Sequence, residues 1–133
     1  MNDSADETAI RTLIEEWAAA VRRRDMEGIL RDHAQEIVMF DVPPPLESRG
    51  LEAYKETWGL FFRWVREPIT FDIQRLEIFA GGEVAFAVAL MRCAGKGPDG
   101  TDSDLDFRLT VGLKKVAGRW TVVHEHHSIP AES

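Results

Sequence analysis

The chain has 133 residues and a net charge of −7, with 16 Lys and Arg against 23 Asp and Glu. That length supports one core and one domain over residues 1–133, and a composition of 44% apolar and 29% charged residues is that of a folded globular chain. The acidic balance disfavours nucleic acid, which needs clustered Lys and Arg, and no apolar run approaches the ~20 residues of a membrane span. The acidic, polar start MNDSADET is unlike a secretory or transit segment, and the single cysteine, Cys93, leaves no internal disulfide to form. A reducing, cytoplasmic setting is therefore expected.

Ile10, Leu13, Ile14, Trp17, Ala18 and Val21 lie on one stripe of a 3.6-residue period. Ser4 followed by Glu7 reads as a capping box, which predicts a helix from Ala5 to Arg24 with Arg22, Arg23 and Arg24 at the negative end of its dipole. Asp25 can cap a short second helix carrying Met26, Ile29, Leu30 and His33. Glu36 to Asp41 is β-prone, and Pro43-Pro44-Pro45 ends that strand because proline lacks a ladder N–H. A third helix follows Gly50, with Leu51, Tyr54, Trp58, Phe61, Phe62 and Val65 on one face.

After Pro68 the period becomes 2. The phase slips between Ile73 and Leu76, which predicts a bulge near Gln74-Arg75, and Gly81-Gly82 signals a hairpin. Val84, Phe86, Val88 and Leu90 then alternate with Ala85, Ala87, Ala89 and Met91. Gly95 to Gly100 is a polar turn, Leu105 to Leu113 is the most regular strand, and Ala117-Gly118 leads into a last strand from Arg119 to Ile129. Helices first and an antiparallel meander afterwards give an α+β fold, with three helices on one face of a curved sheet. The small side chains of Ala85, Ala87 and Ala89 suggest a smooth open sheet face through which two copies form a homodimer.

This element order, the Trp17-to-Asp41 stretch, the Asp41 to Arg49-Gly50 segment and the ending Arg119-Trp120 to His124-Glu125-His126-His127-Ser128 together resemble the nuclear transport factor 2-like superfamily. The resemblance runs roughly from Glu7 to Pro130, and the ending looks most like the uncharacterised SnoaL-like branch. It implies a cone in which helices close one end of a bent sheet over an apolar pocket. It also places Asp41 where the ketosteroid isomerases carry their general base, and a carboxylate in an apolar cavity is a stronger base than one in water. Read from the residues alone, Asp41 can equally end its strand by bonding the proline turn. The isomerase oxyanion hole needs a tyrosine and a protonated aspartate, but the matching positions carry Trp17 and Val111, so ketosteroid isomerisation is not expected.

Alternation puts His124 and His126 on one face of the last strand with Trp120 and Val122, and Glu125 and His127 on the other with Val123; the resemblance to the isomerase strand implies that His127 and Val123 are on the pocket side. His127 can relay protons with Asp41 or donate to a substrate oxygen; it can also be an ordinary hydrogen-bonded strand histidine. Glu125, if it points inward, needs Arg92 or His127 as a partner. The sheet phase suggests pocket walls from Phe86, Val88, Leu90, Leu109, Val111 and Val123, with Arg92 at the end as an anion anchor. Trp17, Tyr54, Trp58 and Phe62 are expected on the helical side. No metal is expected, since His33 stands on another element and two strand histidines do not complete a site. No phosphate loop, nucleophile elbow or dinucleotide fingerprint implies a cofactor. Two readings follow: isomerase- or cyclase-type acid–base chemistry on a small apolar carbonyl compound, with Asp41 as base, or a non-catalytic module for ligand binding or dimerisation.

Overall fold

A computed structural model describes residues 3–131. Helix α1 spans Asp3–Arg23, α2 Met26–Leu30 and α3 Leu51–Trp64. Strands β1 (His33–Phe40), β2 (Ser48–Arg49), β3 (Arg66–Gly81), β4 (Val84–Lys96), β5 (Asp102–Val116) and β6 (Arg119–Ser128) form one curved sheet in the order β2-β1-β6-β5-β4-β3. The only parallel pair among them is β1 with β6, so the first strand and the last lie side by side. This is the α+β architecture expected from the order of helical and strand periods.

The α1 stripe is buried as its period requires. Ile10, Ile14 and Val21 are each at most 1% exposed, and burying a side chain of that kind contributes about 1.5–3 kcal/mol. The helix starts earlier than the capping box implied: Ser4 lies inside its first turn, and its carbonyl accepts from the Thr8 hydroxyl at 2.9 Å. Arg22 and Arg24 are used as ties between elements. Arg22 donates to the Phe71 carbonyl, and Arg24 donates to the Val65 and Phe62 carbonyls at 2.9 and 3.0 Å, closing the C-terminal end of α3. Asp25 caps α2 as expected, accepting from Gly28 N–H at 3.1 Å. His33, however, is not on α2. It opens β1, three residues before the predicted strand.

The long hairpin of β3 and β4 carries the bulge the phase slip predicted: Ile73 pairs with Met91 and Arg75 with Leu90, leaving Gln74 unpaired. Its turn is Gly82-Glu83, one residue later than expected, with Gly82 at φ 60°. The facing of β4 is the reverse of the expectation. Ala85, Ala87, Ala89 and Met91 are buried opposite Leu113, Val111, Leu109 and Phe107 of β5. Val84, Phe86 and Leu90 are 62%, 49% and 42% exposed on the open side, with Val88 half-buried between them. Both phases of β4 are apolar, so alternation alone does not tell inside from outside. The small phase faces inward because helices and large aromatic side chains already fill that side; Ala85, Ala87 and Ala89 share one core with Ile10, Trp17 and Trp58. The open face is consequently not the alanine face assigned to pairing between copies; its side chains include Val84, Phe86, Leu90 and the Phe79 ring stacked on Phe86.

A second bulge decides the facing of β6. Leu113 pairs with Val122 and Gly112 with His124, so Val123 has no partner. Trp120 and Val122 before it, and Glu125 and His127 after it, all point into the core.

Substituting Ala87→Leu should overpack the core and lower stability by about 1–3 kcal/mol, whereas Val84→Thr on the open face should stay within about 0.5 kcal/mol. Urea unfolding midpoints of the two variants measure the difference, and the reverse ranking would restore the original facing of β4.

Candidate functional site

Two features meet where β1, β6 and α3 converge: a buried polar network and an apolar cavity that shares one side chain with it. The network is centred on Glu125, which is 1% exposed. A carboxylate so far from water needs a full set of donors. Tyr54 of α3 donates to its Oε2 at 2.7 Å. His33 Nε2 of β1 lies 2.9 Å from the same oxygen, and His127 Nε2 lies 3.1 Å from Oε1. Trp17 of α1 completes the group by donating its indole N–H to the Tyr54 hydroxyl at 2.9 Å.

The partners assign the protons. His33 Nδ1 is 2.7 Å from the Arg31 carbonyl, which can only accept, so Nδ1 carries a hydrogen. Its Nε2 faces Glu125 Oε2 and, at 3.2 Å, the Tyr54 oxygen, whose own hydrogen goes to Glu125. With an acceptor on each side, both ring nitrogens of His33 stand at donor positions, and its contact with Glu125 is a buried side-chain hydrogen bond. His127 Nε2–H donates to Glu125, which leaves Nδ1 as the nitrogen directed to the cavity side, 3.9 Å from Asp41 Oδ1. Burial by itself raises the Glu125 carboxyl, but the hydrogen bonds and charges of His127 and His33 outweigh it and hold the pKa at about 2. Burial, then the adjacent Glu125 charge, pushes the Tyr54 hydroxyl well above its ordinary 10, so it stays a donor.

The cavity has a volume of about 230 Å³. Trp58, Phe61 and Thr57 of α3 line one side; Met39, Asp41, Val42 and Pro43 come from the end of β1 and its proline turn. Phe71, Cys93, Leu105, Phe107 and His127 come from the sheet. Phe107 stacks on the His127 ring at 5.3 Å between centroids, and Trp17 and Trp58 approach the same ring edge-on at 6.3 Å. Asp41 both lines this cavity and accepts the Val42 N–H at 2.8 Å, so a place at the cavity wall and a bond to the proline turn occur together. Burial, followed by the nearby Asp104 charge, raises the Cys93 thiol to about 11 and keeps it protonated at neutral pH.

Of the residues expected at the pocket, Asp41, His127 and Trp58 line it. Glu125, Tyr54 and Trp17 lie behind that wall, in the network. Phe62 is half-buried beneath the Arg24 guanidinium, which sits 4.8 Å over its ring, and the neighbouring Phe61 takes the cavity position. Leu109 and Val111 face inward but are core residues, at 1% and 3% exposed. Phe86, Val88 and Leu90 are on the opposite side of the sheet because β4 has the reverse facing. Arg92 shares that outer side, bridging Asp104 and Asp106, and anchors nothing in the cavity. Val123 is displaced by the bulge. His124, as expected, faces away from the cavity and bonds the Val38 carbonyl at 2.6 Å, with His126 exposed beside it. The residues not expected at the site, chiefly His33, Phe71 and Phe107, become legible only through pairing; the inward phase of β5 points to Phe107.

Among the described residues no cluster of three or more His, Cys, Asp or Glu is arranged to hold a metal ion, and no helix is long and apolar enough to cross a membrane.

Replacing Glu125 with alanine should leave Tyr54, His33 and His127 without their shared buried acceptor, at about 1–3 kcal/mol per unsatisfied group in urea unfolding. The sign of the acid dependence follows from the depressed pKa: the stabilisation is complete above the ordinary 4.5 and is lost as pH falls toward about 2. Glu125→Gln should flatten the acid-unfolding curve in that window, and an unchanged curve would contradict the charged network.

The SnoaL-like domain family matches over residues 10–132. Among solved structures, the chain is similar to an NTF2-like protein of unknown function from Pseudomonas putida, at 37% identity and TM-score 0.88, over 98% of this chain and 90% of that one. An NTF2-like superfamily protein from Salmonella enterica aligns at TM-score 0.86 and 19% identity, over 98% of this chain and 94% of the other. A ketosteroid isomerase-like protein from Erwinia carotovora aligns at 0.80 and 16%, over 94% and 96%. The last two likenesses carry the fold alone, and no curated protein matches. The cone-shaped NTF2-like fold and the match across nearly the whole length lead to one assignment: the chain belongs to the SnoaL-like domain family.

Proposed function

We propose that the cavity binds a small, mostly apolar organic molecule and that Asp41 and His127 perform acid–base chemistry on it. One observation carries the reading. The two side chains face a single apolar cavity 3.9 Å apart, and the far nitrogen of His127 is fixed on buried Glu125, which holds its near nitrogen toward Asp41. A positioned base of this kind contributes about 10²–10⁴ in rate. At about 230 Å³ the cavity is smaller than the ~300–1,000 Å³ of drug-sized sites, which points to a ligand of one ring or a short branched chain.

Ketosteroid isomerisation is not the reaction proposed. The Trp17 N–H is taken by Tyr54, and Val111 has nothing to donate, so no group stands where an enolate oxygen would need stabilising. Each missing donor of that kind costs on the order of 10²–10³ in rate. The same absence favours a second reading, a pocket that binds its ligand without turning it over.

A crystal structure of protein purified directly from cells tests the pocket, and base-catalysed hydrogen–deuterium exchange on the bound compound tests the chemistry. Density for an organic molecule against Asp41 and His127 is expected, with exchange at saturating ligand reduced at least 10²-fold in Asp41→Asn. Binding with no exchange in either protein would establish the second reading. A cavity closed by its own side chains would overturn both.

A further inference from the structure

The polar groups that reach the cavity have one property in common: their strong hydrogens are already committed elsewhere. His127 engages Glu125 through Nε2 and turns Nδ1 toward Asp41, 3.9 Å away. Thr57 gives its hydroxyl hydrogen to the Tyr54 carbonyl at 2.6 Å. Asp41 presents carboxyl oxygens, one of which already accepts from Val42. Cys93 remains a thiol, which is only a weak donor. The Trp58 ring forms part of the wall, but its Nε1 is buried and meets no partner. Among the described residues, no Lys or Arg lines the cavity.

A carbonyl or carboxylate oxygen placed here would lose its water and find no strong donor in exchange, and a carboxylate would also lie beside Asp41 with no neighbouring Lys or Arg to offset its charge. A ligand that brings its own donors meets the opposite situation. We infer that the cavity selects a small apolar amine in its ammonium form, its N–H groups on Asp41 and His127 Nδ1 and its hydrocarbon body against Trp58, Phe61, Phe71 and Phe107. Charge-assisted bonds to the carboxyl oxygens are the strong kind, and aromatic walls tolerate a cation better than aliphatic ones. The inference rests on the reading of this cavity as a ligand site and deepens it by naming the ligand's chemistry.

The test is a matched series of one ring and one size: 1-phenylethylamine, 1-phenylethanol, acetophenone and benzoate, each titrated at neutral pH while the Trp58 indole and His127 ring signals are followed by NMR. The amine should bind at least 10-fold more tightly than acetophenone, and benzoate should not bind. In Asp41→Asn, a substitution at a partly exposed position, the amine and the alcohol should become equal. Acetophenone or benzoate binding as tightly as the amine would overturn the inference while leaving the ligand site intact, as would an amine preference that survives Asp41→Asn. If none of the four compounds moves either signal, the ligand-site reading falls, and the inference with it.

Discussion

A carboxylate buried at 1% exposure stays charged only if the surrounding chain supplies donors for it, and at Glu125 the donors come from three different elements. His33 brings the start of β1, Tyr54 brings α3, and His127 belongs to β6 itself, while Trp17 ties α1 to Tyr54. Removing any one of these leaves a polar group stranded in the core, which is why the geometry of the end of the sheet and the position of the helix above it are coupled. The parallel pairing of β1 with β6 places His33 next to the last strand. Without that pairing the carboxylate would lack its His33 partner.

The network and the cavity divide the work through His127. On its inner side the ring is held by Glu125 and stacked on Phe107, so neither its tautomer nor its plane is free. On the outer side it meets Asp41 across a gap of 3.9 Å, which is too long for a direct hydrogen bond and leaves both groups able to engage a third. The Asp41 position depends on the proline turn, because its Oδ1 accepts the Val42 N–H that opens it. Preorganisation of this kind is what separates a site from a cluster of polar residues that happen to be close. It also accounts for the scarcity of donors at the cavity surface, since the same bonds that fix the side chains use up their hydrogens.

Much of this was legible in the sequence, and the failures have specific causes. The stripes of α1 and α3, the α2 cap and the β3 bulge are legible locally, whereas the inward facing of His127 came from the family likeness. In β4 both faces are apolar, so the alternation carries no sign, and the crowded helical side takes the smaller phase, Ala85, Ala87 and Ala89 with Met91 at its end. One unpaired residue, Val123, reverses facing within β6, and nothing local in Thr121-Val122-Val123-His124 announces it. His33 was attached to the helix before it because its partner lies 92 residues away. Family likeness gave the fold and the Asp41 position, but the roles of Trp17 and Val111 had to be read from these residues themselves.

The protonation of the two inward histidines is the claim on which the rest depends, and it can be observed directly. Nitrogen-15 NMR of the imidazole rings at neutral pH, assigned with His33→Gln and His127→Gln variants, reports which ring nitrogen carries hydrogen. The account predicts His33 with hydrogens on both nitrogens and His127 with hydrogen on Nε2 alone. A neutral His33, or His127 carrying its hydrogen on Nδ1, would mean that Glu125 does not organise the site as described.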